Sequence, residues 1–409
     1  MPKPATRLLC FSLLAGVCFW PLSHKGQGWK GIDDFPGTAR DDGVSFRIGE
    51  KAYCGTGLEV GWTPTRDFYA YELANGSWSS IPSLPPGNER QYASAFSGAG
   101  EGYVFGGSDG SEYLKDLWAY DPQRKEWTAK SQLPSKGRSG AASFQIGLTA
   151  YIIGGKHDGK DALREVWAYD ILEDNWERKE DLPFTGRWRA SACAMNGKGY
   201  LLFGKDAQGN YHRSLHRYDP ATDEWERSTS FPGIGRTYAK LRPLHGKLII
   251  VGGMDSSGTI KGDSWSYNPR TSTWKELAPL PSGGRRGGFC FKSCSTIHYS
   301  AGLDTNSTRS KAAWKNEHPG GRPRRETTGG FSCYPNPVRG TLTLLFAPNI
   351  PAGKGKILLY DSQGKRVRDL RINCRRMRIS MKGMSKGLYW IRYEGPERTS
   401  VKQVVKKGN

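Results

Sequence analysis

Histidine is scarce in this chain, and its cysteines are scattered. The 409 residues hold 7 His and 8 Cys. Only His212 and His216 stand close together, and no Cys-x-x-Cys occurs. Zinc ribbons, zinc fingers and haem-attachment motifs are therefore excluded. The His-Glu-x-x-His pair of zinc hydrolases and the phosphate-binding loop ending in Gly-Lys-Ser/Thr are missing too. No metal or cofactor is implied. Beyond the first 20 residues there is no long apolar run, so nothing later predicts a membrane-spanning helix. Six cysteines follow residue 28: Cys54, Cys193, Cys290, Cys294, Cys333 and Cys374. A chain of this size does not need disulfides to fold. Cys333 and Cys374 could pair within the tail, or all could be free buried thiols.

Basic charge is abundant but unevenly placed. The formal net charge is +21. Residues 315–409 alone hold 21 Lys/Arg against 6 Asp/Glu, and residues 1–28 add three more cations without an acid. The middle of the chain is nearly balanced, so the charge does not describe a nucleic-acid interface. Lys3 and Arg7 precede the apolar run from Leu8 to Trp20. This is the layout of a secretory signal peptide, with cleavage expected near Gly28. A retained membrane anchor is the alternative, but the run is short for a span. Leu14-Ala15-Gly16-Val17-Cys18 approximates a lipoprotein signal, with Val17 poorly suited before the cysteine.

Six tryptophans repeat every 49 residues: Trp29, Trp78, Trp127, Trp176, Trp225 and Trp274. A fixed period of this size means one small unit copied many times. In the copy around Trp176, Gly137 to Phe144, Thr149 to Gly155, Glu165 to Asp170 and Asn175 to Arg178 read as four short strands separated by turn residues. Other columns keep step. Arginine opens each unit at Arg40, Arg90, Arg138, Arg187, Arg236 and Arg285. Glycine ends the second strand at Gly57, Gly107, Gly155, Gly204, Gly253 and Gly302. An aromatic stands at Tyr69, Trp118, Trp167, Trp265 and Trp314, with His216 in the fourth copy. Two residues on come Tyr71, Tyr120, Tyr169, Tyr218 and Tyr267.

An opening arginine, a Gly-Gly after an apolar strand, an aromatic-x-Tyr, and a Trp six residues before Leu-Pro or Phe-Pro resemble the kelch repeat. The resemblance covers residues 29–317 and implies an all-β, six-bladed kelch-type β-propeller. The glycine doublet departs from the pattern at Phe203-Gly204, Ala301-Gly302 and Gly55-Thr56-Gly57, where different packing is expected. Trp29 lacks a preceding unit, and the position expected for a seventh tryptophan is Pro323. The N-terminal strand around Trp29 is therefore expected to complete the last blade and close the ring, removing an open edge.

The period stops at a linker over residues 318–330. Residues 331–409 read as a small β-sandwich. Tyr334-Pro335-Asn336-Pro337, then Tyr360-Asp361-Ser362-Gln363-Gly364-Lys365, then Gly387-Leu388-Tyr389 and a basic end resemble the C-terminal sorting domain of the type IX secretion system of Bacteroidetes-type bacteria. That resemblance implies the secretion machinery as partner, and a destination outside the cell or at its surface. An accessory sugar-binding sandwich is the alternative.

The topology expects the six column arginines near the mouth of the axial channel. The second-to-third-strand loops join them with Asp109, Asp158, Asp206, Asp255 and Asp304; Tyr92, Trp188 and Tyr238 lie beside the arginines. One reading is a funnel for a carboxylate-bearing or hydroxyl-rich ligand, glycan or protein, held by Arg forks and aromatic faces. The other is that the arginines pair with the loop aspartates and hold the ring. Kelch propellers include sialic-acid mutarotase-type enzymes and copper radical oxidases. The His and Tyr pattern offers no copper site, and no acid/base pair stands out for a mutarotase. A non-catalytic surface binder and a sialate mutarotase-like enzyme are both carried forward.

Overall fold

The computed structural model describes residues 28–158, 161–293, 295–317, 331–346, 355–372, 376–395 and 399–408. The expected signal stretch, the linker, Cys294 and Cys374 lie outside these residues. Every regular element among them is a β-strand. Ala142–Ile146, Thr149–Ile153, Val166–Asp170 and Asn175–Lys179 pair in order as an antiparallel sheet. Six such sheets recur among the described residues, numbered here as blades 1 to 6 from the one that begins at Val44. The first strand begins after the column arginine rather than at it, because Arg138 and its neighbours form the approach to the blade.

The inner strands meet in a cycle. Val44–Ile48 contacts Ser94–Gly98, followed by Ala142–Ile146, Ser191–Met195, Lys240–Leu244 and Phe289–Lys292, which returns to Val44–Ile48. Blade 6 draws its outer strand from the other end of the chain: Trp29–Ile32 pairs antiparallel with Ala313–Glu317. The Trp29 indole donates to Ala278 O at 3.0 Å. Trp78, Trp127 and Trp176 make the same bond to the blade before theirs, through Asp33 O, Pro82 O and Ser131 O. Trp29 thus fills the sixth tryptophan position.

A ring of backbone bonds explains the glycine column. Gly57, Gly107, Gly155, Gly204 and Gly253 each donate to the carbonyl of the next blade's column arginine, and Gly302 donates to Arg40 O, all within 2.8–3.0 Å. A side chain has no room at this contact: a Cβ on Gly57 would stand 2.6 Å from Asp41 O, and one on Gly107 2.6 Å from Gln91 O. The residue before this glycine carries a side chain in three blades, although a Cβ on Gly154 or Gly252 would stand 2.3 or 2.4 Å from the next blade's arginine carbonyl. Thr56, Phe203 and Ala301 hold the same left-handed backbone there as Gly106, Gly154 and Gly252, so the departures leave the corner unchanged. Between blades, Phe46 packs on Tyr53 and reaches Trp127 of the next blade. The tail folds as two sheets. Phe331–Tyr334, Thr341–Phe346 and Arg376–Ser380 form one; Lys356–Tyr360, Arg366–Arg371, Gly387–Glu394 and Thr399–Lys406 form the other. They enclose a core that includes Leu344, Ile357, Ile391 and Val404.

Candidate ligand site at the mouth of the axial channel

The column arginines are buried, at 0–4% exposure. Arg90 grips Asp116 with two parallel bonds of 2.9 and 2.8 Å and also donates to Gly106 O. Arg40 holds Asp67, and Arg236 holds Asp263, by the same fork. Arg138 binds Glu165 at 2.6 Å. Burial alone would raise the Glu165 carboxyl, but bonds from Arg138 and from the Trp167 indole hold it at about 2. Arg40, Arg90, Arg138 and Arg236 therefore tie the entry of the first strand to the glycine turn and to the start of the third strand. This corrects the expectation that the six arginines present a ligand face: their forks are turned into the blades, because each buried guanidinium needs a carboxylate or carbonyl partner.

The loop aspartates are not their partners, except for Arg285 and Asp304 at 3.8 Å. Asp109, Asp255 and Asp304 accept backbone N–H groups of their own loops. Asp206 holds Asn210 and His212. Asp158 is exposed at a left-handed turn position. These are turn-forming roles. In blade 4 the acid and aromatic of the third strand change together, to Ser214 and His216. His216 bonds Ser214 Oγ at 2.9 Å and stacks on Phe184 at 3.7 Å. Burial, with Arg187 nearby, lowers it to about 4. Arg187 binds Thr185 instead of an acid.

The mouth itself is built two residues after each arginine. Asp42, Tyr92, Gly140, Arg189, Tyr238 and Gly287 all have φ between 54° and 67°. Successive members bond through their backbones: Asp42 N to Gly287 O, Tyr92 N to Asp42 O, Gly140 N to Tyr92 O, Arg189 N to Gly140 O and Tyr238 N to Arg189 O. A left-handed backbone is costly for tyrosine and arginine; this chain of bonds, which joins five of the six neighbouring pairs, holds it. The Arg189 guanidinium lies 4.4 Å from the Tyr92 ring and 4.5 Å from the Tyr238 ring, forming a plug. On one side of the plug, Arg189 is also 4.1 Å from the ring of Trp188. Lys156 and Lys205 approach that indole at 5.0 and 5.9 Å. On the other side, Arg286 contacts Asp41 at 3.1 Å and Asp42 at 3.3 Å, and Arg309 binds Asp41 at 2.7 Å. Arg309 also lies 5.1 Å from Trp62, which is 73% exposed on a hairpin tip. The mouth is thus cationic and aromatic over blades 3 and 4, and carries acids at the seam of blades 6 and 1.

Residues 36–181 and 132–300 match the KLHDC2/KLHL20/DRC7 Kelch-repeats domain. This chain belongs to the kelch-repeat family. Residues 332–407 match the secretion system C-terminal sorting domain, which indicates type IX secretion to the cell surface or the extracellular space. The kelch fold is also that of a solved structure titled "Structure of YjhT", at 17% identity and a TM-score of 0.59, covering 69% of this chain and 96% of that one. No curated protein matches. Among the described residues, no helix is long and apolar enough to cross a membrane.

The kelch glycines explain a misleading local pattern. Gly106-Gly107-Ser108-Asp109-Gly110 has hydrolase Gly-x-Ser-x-Gly spacing, but it sits in a hairpin with no following helix. Ser108 Oγ accepts the Gly110 N–H, so this is not a nucleophile turn. The sorting-domain motifs have structural roles. Asn336, between Pro335 and Pro337, donates to Gln403 O and accepts from Val405 N, covering the edge of the last strand. Tyr360 leads into a hairpin turn where Asp361 accepts from Lys365 N and Gly364 takes φ 77°. Gly387 opens the penultimate strand, and Tyr389 binds Ser385 O.

Sequence reading placed Tyr92, Trp188 and Tyr238 at this mouth and missed Asp42, Arg189, Lys156, Lys205 and Arg286. The signal was a column that breaks the repeat: Asp, Tyr, Gly, Arg, Tyr, Gly. Asp42 has a measurable consequence. Burial and the neighbouring Asp41 raise its carboxyl to about 7, against the pull of Arg286 and Arg189. A carboxyl raised on folding contributes stability below its unfolded pKa, near 4, and loses it as pH rises to about 7. The urea midpoint of the wild type should therefore fall between pH 5 and 7 more steeply than that of Asp42→Asn. Parallel slopes would remove Asp42 as the titrating group.

Proposed function

We propose that this is a secreted or cell-surface kelch-propeller binding protein. It recognises an anionic, hydroxyl-rich glycan at the mouth of its channel after export through the type IX machinery. Residues 1–28 serve as the signal peptide, 29–317 as the propeller, 318–330 as a linker and 331–409 as the sorting domain. One observation carries the reading. Lys156, Lys205 and Arg189 surround Trp188, and among the described residues none of them forms a salt bridge. Burial, then Arg189 and Lys205, holds the Lys156 ammonium pKa below its ordinary value. An anion relieves that repulsion, and the indole face suits a sugar ring.

A glycan array with the purified chain tests this. Lys156→Ala, Lys205→Ala and Trp188→Ala should each weaken binding of acidic glycans about tenfold or more, the effect of losing one charged hydrogen bond or one desolvated cation–π contact. Unchanged binding in all three would sink the reading, and selective binding of a protein would shift it to a protein ligand. A sialate mutarotase-like activity is the second reading. It is favoured by Asp42, raised to about 7 among the tyrosines of the plug, where a carboxyl can exchange protons near neutral pH. Catalysed anomer exchange of N-acetylneuraminate, followed by NMR and lost in Asp42→Asn, would select it.

A further inference from the structure

Blade 5 breaks the pattern of the inner strand. Four residues after the column arginine stand Val44, Ser94, Ala142, Ser191 and Phe289, but Lys240 in blade 5. Six residues after it stand Phe46, Phe96, Phe144, Cys193 and Phe291, but Arg242 in blade 5. Both cations line an axial cavity of about 130 Å³. Lys240 also lines the space under Tyr92, Arg189 and Tyr238. Arg242 donates to Cys290 O and Leu241 O, both at 2.9 Å. These are neutral acceptors, so its charge is left uncompensated. Lys240 Nζ makes no hydrogen bond or ion pair among the described residues.

The groups facing Lys240 do not supply the missing charge. Burial and then Arg242 depress the Lys240 ammonium; Asp42 above opposes them. Asp42 is already committed to Arg286 and titrates near neutrality. Cys54 and Cys290 are raised by burial and stay protonated. The serine hydroxyls are engaged elsewhere. Ser45 donates to Cys290 O, Ser94 to Ala141 O, Ser143 to Ala95 O and Ser191 to Ala239 O. These bonds stitch neighbouring blades and leave the two cations facing, as their one carboxyl among the described residues, Asp42 at the top of the channel, which is shared with Arg286.

We infer that the axial channel beneath the Tyr92–Arg189–Tyr238 plug is a binding site for a small inorganic anion of chloride size, held between Lys240 and Arg242. The half-buried cations, side by side on the channel wall, provide the attraction. The cavity of about 130 Å³ has room for a small anion together with water. The site is separate from the glycan reading of the mouth and does not depend on it.

The full chain should melt about 2–4 °C lower when 100 mM chloride is replaced by gluconate at equal ionic strength. It should also broaden the chloride-35 NMR line, and bromide should compete this away. Lys240→Met should abolish both effects, whereas Lys156→Ala at the mouth should keep them. Equal melting in the two salts with no broadening would overturn the site, as would loss of both effects in Lys156→Ala. If Lys240→Met does not fold, wild-type broadening that survives Lys156→Ala supports the site, and its absence overturns it.

Discussion

Replacing Arg90 with alanine is expected to destabilise the propeller by about 3–5 kcal/mol, because it strands a partly buried carboxylate. Arg90 is fully buried and meets both oxygens of Asp116, whose side chain is only 22% exposed. The fork also binds Gly106 O, in the turn whose next N–H, that of Gly107, reaches across to Arg138 O. Losing Arg90 thus loosens one link of the ring as well as one blade. The melting temperature should fall on the order of 10 °C. Arg187→Ala is the control. Arg187 binds Thr185 and, among the described residues, forms no salt bridge with an acid; the nearby Asp206 is already held by Asn210 and His212, so removing Arg187 strands no forked carboxylate. Its cost should be about 1–2 kcal/mol, that of neutral hydrogen bonds. Removing Asp116 together with Arg90 should restore part of the loss. Equal losses for Arg90→Ala and Arg187→Ala would refute the ion-pair account.

The arginine column shows how far repetition can be read. The sequence places an arginine at the start of every unit, but a column does not reveal which way the fork turns. The acids that receive it, Asp67, Asp116, Glu165 and Asp263, form a column of their own that fails at Ser214 and Ala312. Two gaps in six were enough to hide it, and the loop aspartates looked like the partners. The mouth was harder for the opposite reason. Its residues vary from blade to blade, since a ligand site on a symmetric ring must break the symmetry. Tyr92, Trp188 and Tyr238 were found by adjacency to arginine, while Lys156 and Lys205 follow the glycine turn and come together only across two blades. The glycine column was legible because each glycine serves one backbone bond that every blade makes; the tryptophan column was legible because each indole packs at the same place in its blade, and four of the six also donate to the blade before.

A chain that begins at Arg40 should melt far below one that begins at Trp29. The shorter chain loses Trp29–Ile32, which leaves the Ala313–Glu317 strand with an open edge. It also loses Phe35, whose side chain is fully buried against Tyr69, Trp78 and Phe289 at the junction of blades 6 and 1. Emptying a site of this kind costs about 3–5 kcal/mol for the phenylalanine alone. The lost bond from the Trp29 indole to Ala278 O adds to it. The expected fall is on the order of 10 °C or more, with aggregation through the freed edge. Two chains separate the contributions. Phe35→Ala in the longer chain removes the buried ring at the seam of blades 6 and 1 but keeps the strand, and should show the stability loss without edge-driven aggregation. Trp29→Ala keeps the backbone pairing and should cost less than either, since this indole is only partly buried. The order of loss should therefore be truncation, then Phe35→Ala, then Trp29→Ala. Equal melting of the Arg40 and Trp29 chains would mean that the last blade is stable with three strands, and that the N-terminal strand does not hold the ring closed.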